Sequence, residues 1–522
     1  MKRLNSLEYL KLSKPQALWY NIQFFVLNIP SHLWKGIIKI WAFIKSIIFG
    51  IRDEVLDIVR TFIKGNWAVK LSFLIFGFGN LYYGQILRGL LFLVFEIFYL
   101  VYMFVLPKGG LYWLGQVNWF EKGMTVGTIQ RGEYVDIETG ITLEVKGQDS
   151  TFVLLWGLMA IIITIGFFVT WRMQIKQCRI NMDIRAKGKK AKSGKDDLKS
   201  LLDDQFHKTL LTPSLLGILI FTVLPTIFMT LIAFTNYSGG ADGYALLYKW
   251  VGWDNFKQLT NFGNGGLGKA FSEILTWTLI WSFFATFSNY FLGMFVAIMI
   301  NKKGIRIKKF WRTVLVMTIA IPQFVSLLYV SNLFQRHGIV GSFLYNHNLI
   351  PQAMLEQFQF TLWQNPLAAR ILVIVINIWI GIPYVMLMAT GILMNIPADL
   401  YESSRVDGAN TVQQFMKITL PYMLFVTGPY LLTSFVGNLN NFNVIFLLVN
   451  GGPPNNELGS PGGVSVGHTD LLITWLYNMT MGGENKFYMS SVIGILVFVV
   501  VAVLSLVVYN IIPSTKSEED FS

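Results

Sequence analysis

Long apolar stretches dominate this chain, with short polar connectors between them. A helix rises about 1.5 Å per residue, so crossing about 30 Å of hydrocarbon takes roughly 20 apolar residues. Eight stretches qualify, near 87–106, 151–171, 211–234, 273–300, 312–334, 370–394, 422–449 and 487–511. A weaker one, 69–86, is broken by Gly77, Gly79, Asn80 and Gly84, and reads as an interfacial or re-entrant segment. Between Ile37 and Ile48, apolar residues recur at helical spacing (Ile37, Ile40, Trp41, Ile44, Ile48), interrupted by Lys39 and Lys45. This fits an amphipathic helix in the membrane surface, or an ordinary helix packed on another subunit. The predicted fold is an all-α, polytopic membrane protein with about eight transmembrane helices.

Charge orients the spans. Segment 172–208 carries eleven Lys and Arg, and 301–312 carries Lys302, Lys303, Arg306, Lys308, Lys309 and Arg312 with no acid. Connector 107–150 instead sets six acids against Lys108, Lys122, Arg131 and Lys146. The positive-inside rule places 172–208 and 301–312 in the cytoplasm. Alternation then places 395–421 and both termini inside, and 107–150, 235–272, 335–369 and 450–486 outside. Composition agrees: of 522 residues 53% are hydrophobic and 14% charged, where soluble chains carry about 25% charged residues. The net charge of +13 therefore reads as cytoplasmic loop charge, and a nucleic-acid partner is not expected. The single cysteine, Cys178, excludes an internal disulfide framework or a Cys-cluster metal site. The five histidines lie in loops or tails without ligand spacing, so none is assigned to a metal.

The expected organisation has five parts. Residues 1–66 form a cytoplasmic or interfacial N-terminal segment, and 67–171 an N-terminal membrane unit with the extracytoplasmic loop 107–150. Residues 172–209 are a basic cytoplasmic linker, 210–511 a core of six helices, and 512–522 a cytoplasmic tail. After the Lys-rich run, Leu198, Leu201, Leu202 and Phe206 share one helical face that suits the bilayer surface. Glu96 sits mid-span, where a carboxylate is costly; it is either a proton-coupling group or a buried structural acid.

No segment supports nucleotide chemistry. The stretch from Gly188 to Gly194 and Lys195 resembles a phosphate loop, but five residues separate its glycines and Asp196 follows the lysine. A phosphate loop needs four residues between the glycines and a hydroxyl after the lysine. ATP-driven transport would therefore need another chain to hydrolyse the ATP.

The most informative connector is 396–421. Pro397 suits a first helical turn. A helix over about 398–406 would end at Asp407-Gly408, where glycine tolerates a left-handed backbone. Thr411 and Gln414 match a capping box for a second short helix to about 418, and Pro421 opens the next span. Two short helices on a glycine turn make a knob for a partner. Tethered at the bilayer with only Arg405 and Lys417 as cations, it does not suit DNA.

The residues Glu402-Ser403-Ser404, Asp407-Gly408-Ala409 and Ile418-Thr419-Leu420-Pro421 resemble the EAA loop of ABC-importer permeases. Ser403 and Ser404 stand where that family has alanines. The resemblance implies a coupling helix docked in a groove of an ATPase subunit, with Glu402 and Gly408 as main docking positions and Ser403, Arg405, Asp407 and Ala409 beside them. It extends over about 210–515. Asn438, Asn440, Asn441 and Phe442, then Asn450-Gly451-Gly452-Pro453, then Gly467-His468-Thr469-Asp470-Leu471-Leu472, resemble the larger permease of maltose/maltodextrin importers, as do Asn377, Gly381, Pro383 and Tyr384.

That likeness implies the ABC type I importer core and a mid-membrane sugar site lined by Asn377, Gly381, Tyr384, Ser434, Gly437, Asn438 and Asn441. The chemistry is reasonable: sugar hydroxyls partner intramembrane amides and hydroxyls, Tyr384 offers an aromatic face, and Gly381 and Gly437 leave room. The alternative for Asn438 and Asn441 is helix–helix hydrogen bonding. Two departures stand out: Ile319 and Gln323 replace a family Tyr and Ser around Pro322, which leaves Gln323 as a further site residue, and 235–272 is short where the family has a large domain.

The implied function is an importer permease for maltodextrin-type oligosaccharides in a bacterial cytoplasmic membrane. Its implied partners are a second permease, two ATPase subunits binding ATP and Mg, and an extracytoplasmic sugar-binding protein. This chain would carry no cofactor and do no covalent chemistry. The alternatives are a permease for another carbohydrate or glycoside, or an ion-coupled secondary carrier. The carrier would need ionisable residues along a path and usually an internal repeat; Glu96 alone lies in a span, outside the core, and no repeat is visible.

Overall fold

The computed structural model describes residues 41–511, except 43–44, 47–48, 129–131, 136–141, 146, 190–195, 197–198, 201, 204, 240–246, 264, 303, 336, 348, 350–361 and 483–484. Most of the expected surface helix 37–48, the phosphate-loop decoy, Leu198, Leu201 and the tail 512–522 lie outside the described residues. Leu202 and Phe206 are exposed. Among the described residues, seven helices are long and apolar enough to cross a membrane, or eight with one bent pair. The chain divides into two compact units, residues 1–112 with 159–218, and residues 113–158 with 219–522.

In the first unit, helix α1 (Ile86–Leu100) continues through a π turn to Val105. Helix α2 (Ser150–Ala186) supplies its lower part to the same unit. The segment 69–86 forms two short helices, Trp67–Leu71 and Phe78–Tyr82, with a break between them. A break deprives backbone N–H groups of helical acceptors, and an unpaired N–H in an apolar setting costs several kcal/mol. Side chains supply the acceptors. Glu96 takes the Phe76 N–H at 2.9 Å, Gln174 the Gly77 N–H at 3.3 Å and Ser72 the Gly79 N–H at 2.7 Å. Glu96 thus caps a broken backbone.

Helix α3 runs from Phe206 to Ile232, its residues up to Ile218 in the first unit and the rest in the second, which is organised around α4 (Leu267–Asn301). Buried Trp277, Trp281, Ala285, Thr286, Asn289, Gly293, Met294 and Ala297 recur along α4 at three- and four-residue spacing, the period of one helix face. Small and hydroxyl residues in that stripe admit close neighbours, here α7 (Pro366–Leu393) and α10 (Leu420–Leu439).

Two expected spans are broken. The stretch 312–334 becomes α5 (Lys308–Ala320) and α6 (Gln323–Leu333), bent by 91°. Ile321 is extended (φ −84°, ψ 127°) because the following Pro322 ring disfavours the helical region there. The stretch 422–449 stops at Leu439 and restarts as α11 (Phe442–Val449), with the Asn441 side chain accepting the Val444 N–H at 3.4 Å.

Loop 107–150 also divides differently from expectation: residues 113–158 belong with the second unit. Trp250 Nε1 donates to the Val117 carbonyl at 2.9 Å, and the Tyr248 N–H donates to Ser150 Oγ at 3.1 Å. Such long-range bonds leave no local sequence signal. The loop also carries an antiparallel hairpin, β1 (Gly132–Val135) with β2 (Thr142–Val145), pairing Gly132 with Val145.

Residues 450–486 fold over one end of α4 and α7 and include α12 (Leu472–Met481), before α13 (Phe487–Ile511). Trp277 Nε1 donates to the Thr469 carbonyl at 3.1 Å, and Arg370 Nε to the His468 carbonyl at 2.8 Å. The Arg370 guanidinium lies 4.7 Å from the Trp277 ring centre. Asp470 is 3% exposed. It accepts from the Gly467 N–H and the Thr474 hydroxyl, each at 2.7 Å. Burial outweighs these bonds and pushes its carboxyl up to about 6.

Candidate functional site

Loop 396–421 projects from the opposite end of the same helices. Helix α8 (Ala398–Val406) has Pro397 at its N-cap, one position before the first turn. It closes as a Schellman motif: the Ala409 N–H reaches the Ser404 carbonyl at 2.9 Å and the Gly408 N–H the Arg405 carbonyl at 3.0 Å. Gly408 has φ +78° and open space where a Cβ would stand. Backbone conformation, not crowding, demands glycine there.

The capping box lies one residue before its expected place. Asn410 caps α9 (Thr411–Gln414), with reciprocal 2.8 Å bonds between Asn410 and Gln413. Amide and hydroxyl caps are near-equivalent, so spacing alone left the register open. Gln414 instead ties the two short helices together, donating to Ser404 Oγ at 2.8 Å and to the Tyr401 carbonyl at 3.2 Å. Pro421 stands in the first turn of α10, as expected, but helix already precedes it. Helix runs from Thr411 to Leu439, passing a π turn at Phe415–Thr419. The turn lies just before a proline that offers no N–H and crowds the carbonyl four residues back.

Glu402, Ser403, Arg405, Asp407 and Gly408 are exposed on this knob, and Ala409 is half-buried. Apolar side chains stand with them: Val406 is 88% exposed and Val412 69%. The motif reading missed both valines. Valine in a polar connector was the available signal.

The mid-span residues form two polar knots and one open face. In the first knot, Asn289 Nδ2 of α4 donates to the Ala285 carbonyl at 2.8 Å and to the Asn377 carbonyl of α7 at 3.4 Å. A Cβ on Gly381 would overlap the Asn289 amide. Gly381 therefore leaves room for α4, which corrects the expectation that it makes space for a ligand. Asn289 Oδ1 is buried without a hydrogen-bond partner among the described residues. In the second knot, Asn438 Nδ2 donates to Thr286 Oγ1 at 2.9 Å, and Asn441 Nδ2 to Asn438 Oδ1 at 3.2 Å. Trp281 Nε1 donates to the Asn438 carbonyl at 3.1 Å. Each such interhelical bond stabilises a membrane bundle by about 0.6–2 kcal/mol.

The open face holds Tyr384, 56% exposed, with the Tyr430 ring centre 6.0 Å away. Ser434 is half-buried, and Gly437 is exposed with nothing near its missing Cβ. Gln323 is exposed at the start of α6, and no hydrogen bond or ring contact among the described residues joins it to the others. Trp281, Thr286 and Asn289 had not been singled out. Their signal was a polar series, Ser282, Thr286 and Asn289, at helical spacing in an apolar span.

Residues 289–517 match the family described as "binding-protein-dependent transport system inner membrane component". The galactooligosaccharides transport system permease protein GanP of Bacillus subtilis (strain 168) is 30% identical over 375 residues, covering 72% of this chain and 86% of that protein. This chain belongs to the ABC-importer sugar permeases. The maltodextrin transport system permease protein MdxF of the same organism is 32% identical over 377 residues, covering 70% of this chain and 83% of that one. The maltose/maltodextrin permease protein MalF of Escherichia coli (strain K12) is 35% identical over 260 residues, 49% of this chain and 48% of that protein. In this permease the family match spans the knob, the open face, Asn289 and all of the second knot except Trp281 and Thr286.

Proposed function

We propose that this permease is one of two membrane subunits of an importer for maltodextrin-type oligosaccharides, working by alternating access. The observation that carries the coupling half of this reading is the knob 396–421. It is locked internally by caps and by Gln414, yet presents Glu402, Val406 and Asp407 outward. Such an element transmits force without deforming. Two ATPase subunits, binding ATP and Mg, would grip this knob and its counterpart on the second permease. The ATP-driven closure and the sugar then bias one conformational equilibrium, each by binding one state better. A sugar-binding protein would deliver substrate on the side of 450–486. The basic connectors favour a cytoplasmic knob and cytoplasmic termini.

Tyr384, Ser434 and Gly437 supply the exposed half of a mid-membrane sugar site that the second permease completes. Asn377, Asn438 and Asn441 set the helix positions behind it, and Gln323 would join it only by movement at the α5–α6 bend. The relatives' names favour an oligosaccharide substrate. Maltodextrin follows MdxF, and the likeness to GanP favours a second reading, galactooligosaccharides.

The test reconstitutes the four-subunit complex in lipid vesicles with its binding protein. ATPase rate and uptake of labelled maltodextrins and galactooligosaccharides are recorded for the natural chain and for Gly408→Pro. Proline cannot adopt φ +78° and removes the N–H bound to Arg405. Sugar-stimulated hydrolysis and uptake should both fall at least tenfold while the complex still assembles. Uptake without ATP, or insensitivity to the substitution, refutes the coupled importer.

A further inference from the structure

A second concave site lies away from the mid-span residues, within the fold of 450–486. It is a cavity of about 480 Å³ lined by Phe446, Asn450, Ser465, Asp470, Tyr477 and Asn478, among others. Pockets for small ligands run from about 300 to 1,000 Å³. One wall is aromatic: the Tyr477 ring centre is 4.8 Å from that of Phe442 and 5.2 Å from that of Phe446. Polar side chains line the same cavity. The Asn450, Ser465, Tyr477 and Asn478 side chains make no hydrogen bond with other described residues. The Asp470 carboxylate is already engaged by Gly467 and Thr474. The cavity therefore presents free amides and hydroxyls beside an aromatic face, and among the described residues no cation lines it.

That combination matches a neutral pyranose. Its C–H face stacks on an aromatic ring, and its hydroxyls donate to and accept from amides. An anionic ligand would find no positive side chain. Phe442, Phe446 and Asn450 lie at i, i+4 and i+8 on one face of α11 and its cap, starting beside Asn441. Eight residues of helix cover about 12 Å. The cavity thus continues a track that begins at the mid-span polar knot.

We infer that the cavity framed by Phe446, Tyr477, Asn450 and Asn478 is a saccharide subsite, which holds a neutral glycosyl unit of a longer oligosaccharide at the end of the permease opposite the knob. This inference rests on the reading of the chain as an oligosaccharide permease and adds a length-selective site to it.

The test uses the reconstituted four-subunit complex with its binding protein. Uptake is measured over di- to heptasaccharides, as α-glucans and as galactooligosaccharides, using the series the natural complex takes up. The variants are Asn478→Ala and Tyr477→Phe, which keeps the ring, with Asn450→Gly, which preserves the left-handed backbone at φ +47°. Losing one hydrogen bond should raise the uptake KM for hexa- and heptasaccharides about five- to tenfold. Disaccharide uptake and maximal ATPase rate should stay within about twofold. A uniform effect at all lengths, or none in any assembled variant, overturns the subsite and leaves the transport reading standing. No uptake of either series by the natural complex overturns both.

Discussion

Residues 396–421 and 450–486 both connect spanning helices of the second unit, and each turns on a glycine at φ +78°, Gly408 and Gly451. Their surroundings differ. Around Gly408 nothing lies within 4 Å of an added Cβ, whereas at Gly451 a Cβ would overlap the Asp470 carboxylate. The first loop bonds almost wholly to itself, over no more than 18 residues, and leaves Val406 and Val412 exposed. The second is pinned by Trp277, Thr278 and Arg370, from helices 98 to 194 residues away. An element that must fit a separate protein keeps its shape from local bonds and spares its surface. An element that closes over its own helices spends backbone polar groups on them.

The matched pair Gly451→Ala and Gly408→Ala tests this most directly. Both incur a left-handed backbone cost of about 1 kcal/mol or more. Gly451→Ala adds overlap, for a total of about 3 kcal/mol or more. Thermal unfolding in detergent should show a much larger drop in Tm for Gly451→Ala. Equal drops would break the distinction.

Next in size is the pH response of the second loop. The Asp470 carboxyl, at 3.8 unperturbed, is pushed up to about 6 in the fold. A raised acid pKa means the folded state holds the proton more tightly. The fold is therefore most stable below pH of about 4 and loses stability as pH rises through about 4 to 6. At about 1.4 kcal/mol per pH unit the loss is about 3 kcal/mol. Tm should be higher at pH 5 than at pH 7.5, and Asp470→Asn should flatten that slope. A Tm that rises with pH over this window would contradict the assignment.

Trp277→Phe keeps an aromatic ring under Arg370 and removes the bond to Thr469. It should cost about 1 kcal/mol and speed amide exchange at 467–472, leaving 396–421 unchanged. Faster exchange in both loops would show them coupled. The smallest effect belongs to Ser404→Ala. Gln414 retains the Tyr401 carbonyl, so the change should stay below about 1 kcal/mol, with sugar-stimulated ATPase unaltered.

The contrast also explains what was legible beforehand. The helix 398–406, its glycine stop and the exposed Glu402 could be read because every determinant lies within a few positions. The capping residue slipped by one, since Asn410 and Thr411 are both competent caps. Glu96 could be recognised as an anomaly but not explained, because its partner is the Phe76 N–H across a chain reversal. Gly381 was misread because the group filling its space, Asn289, lies in another helix.

By itself, the sequence determined a chain of apolar spans joined by polar connectors, with a self-contained knob between two of them. Hydrocarbon solvent imposes length and apolarity on each span separately, and caps and turns act over a single helical turn. Only the tertiary structure decided which polar groups remain available. It used Asn438 and Asn441 between helices, turned the chain by 91° at Pro322, and left Tyr384 and Gly437 exposed. Those outcomes depend on which faces meet, and packing between distant segments has no period that a linear pattern can carry.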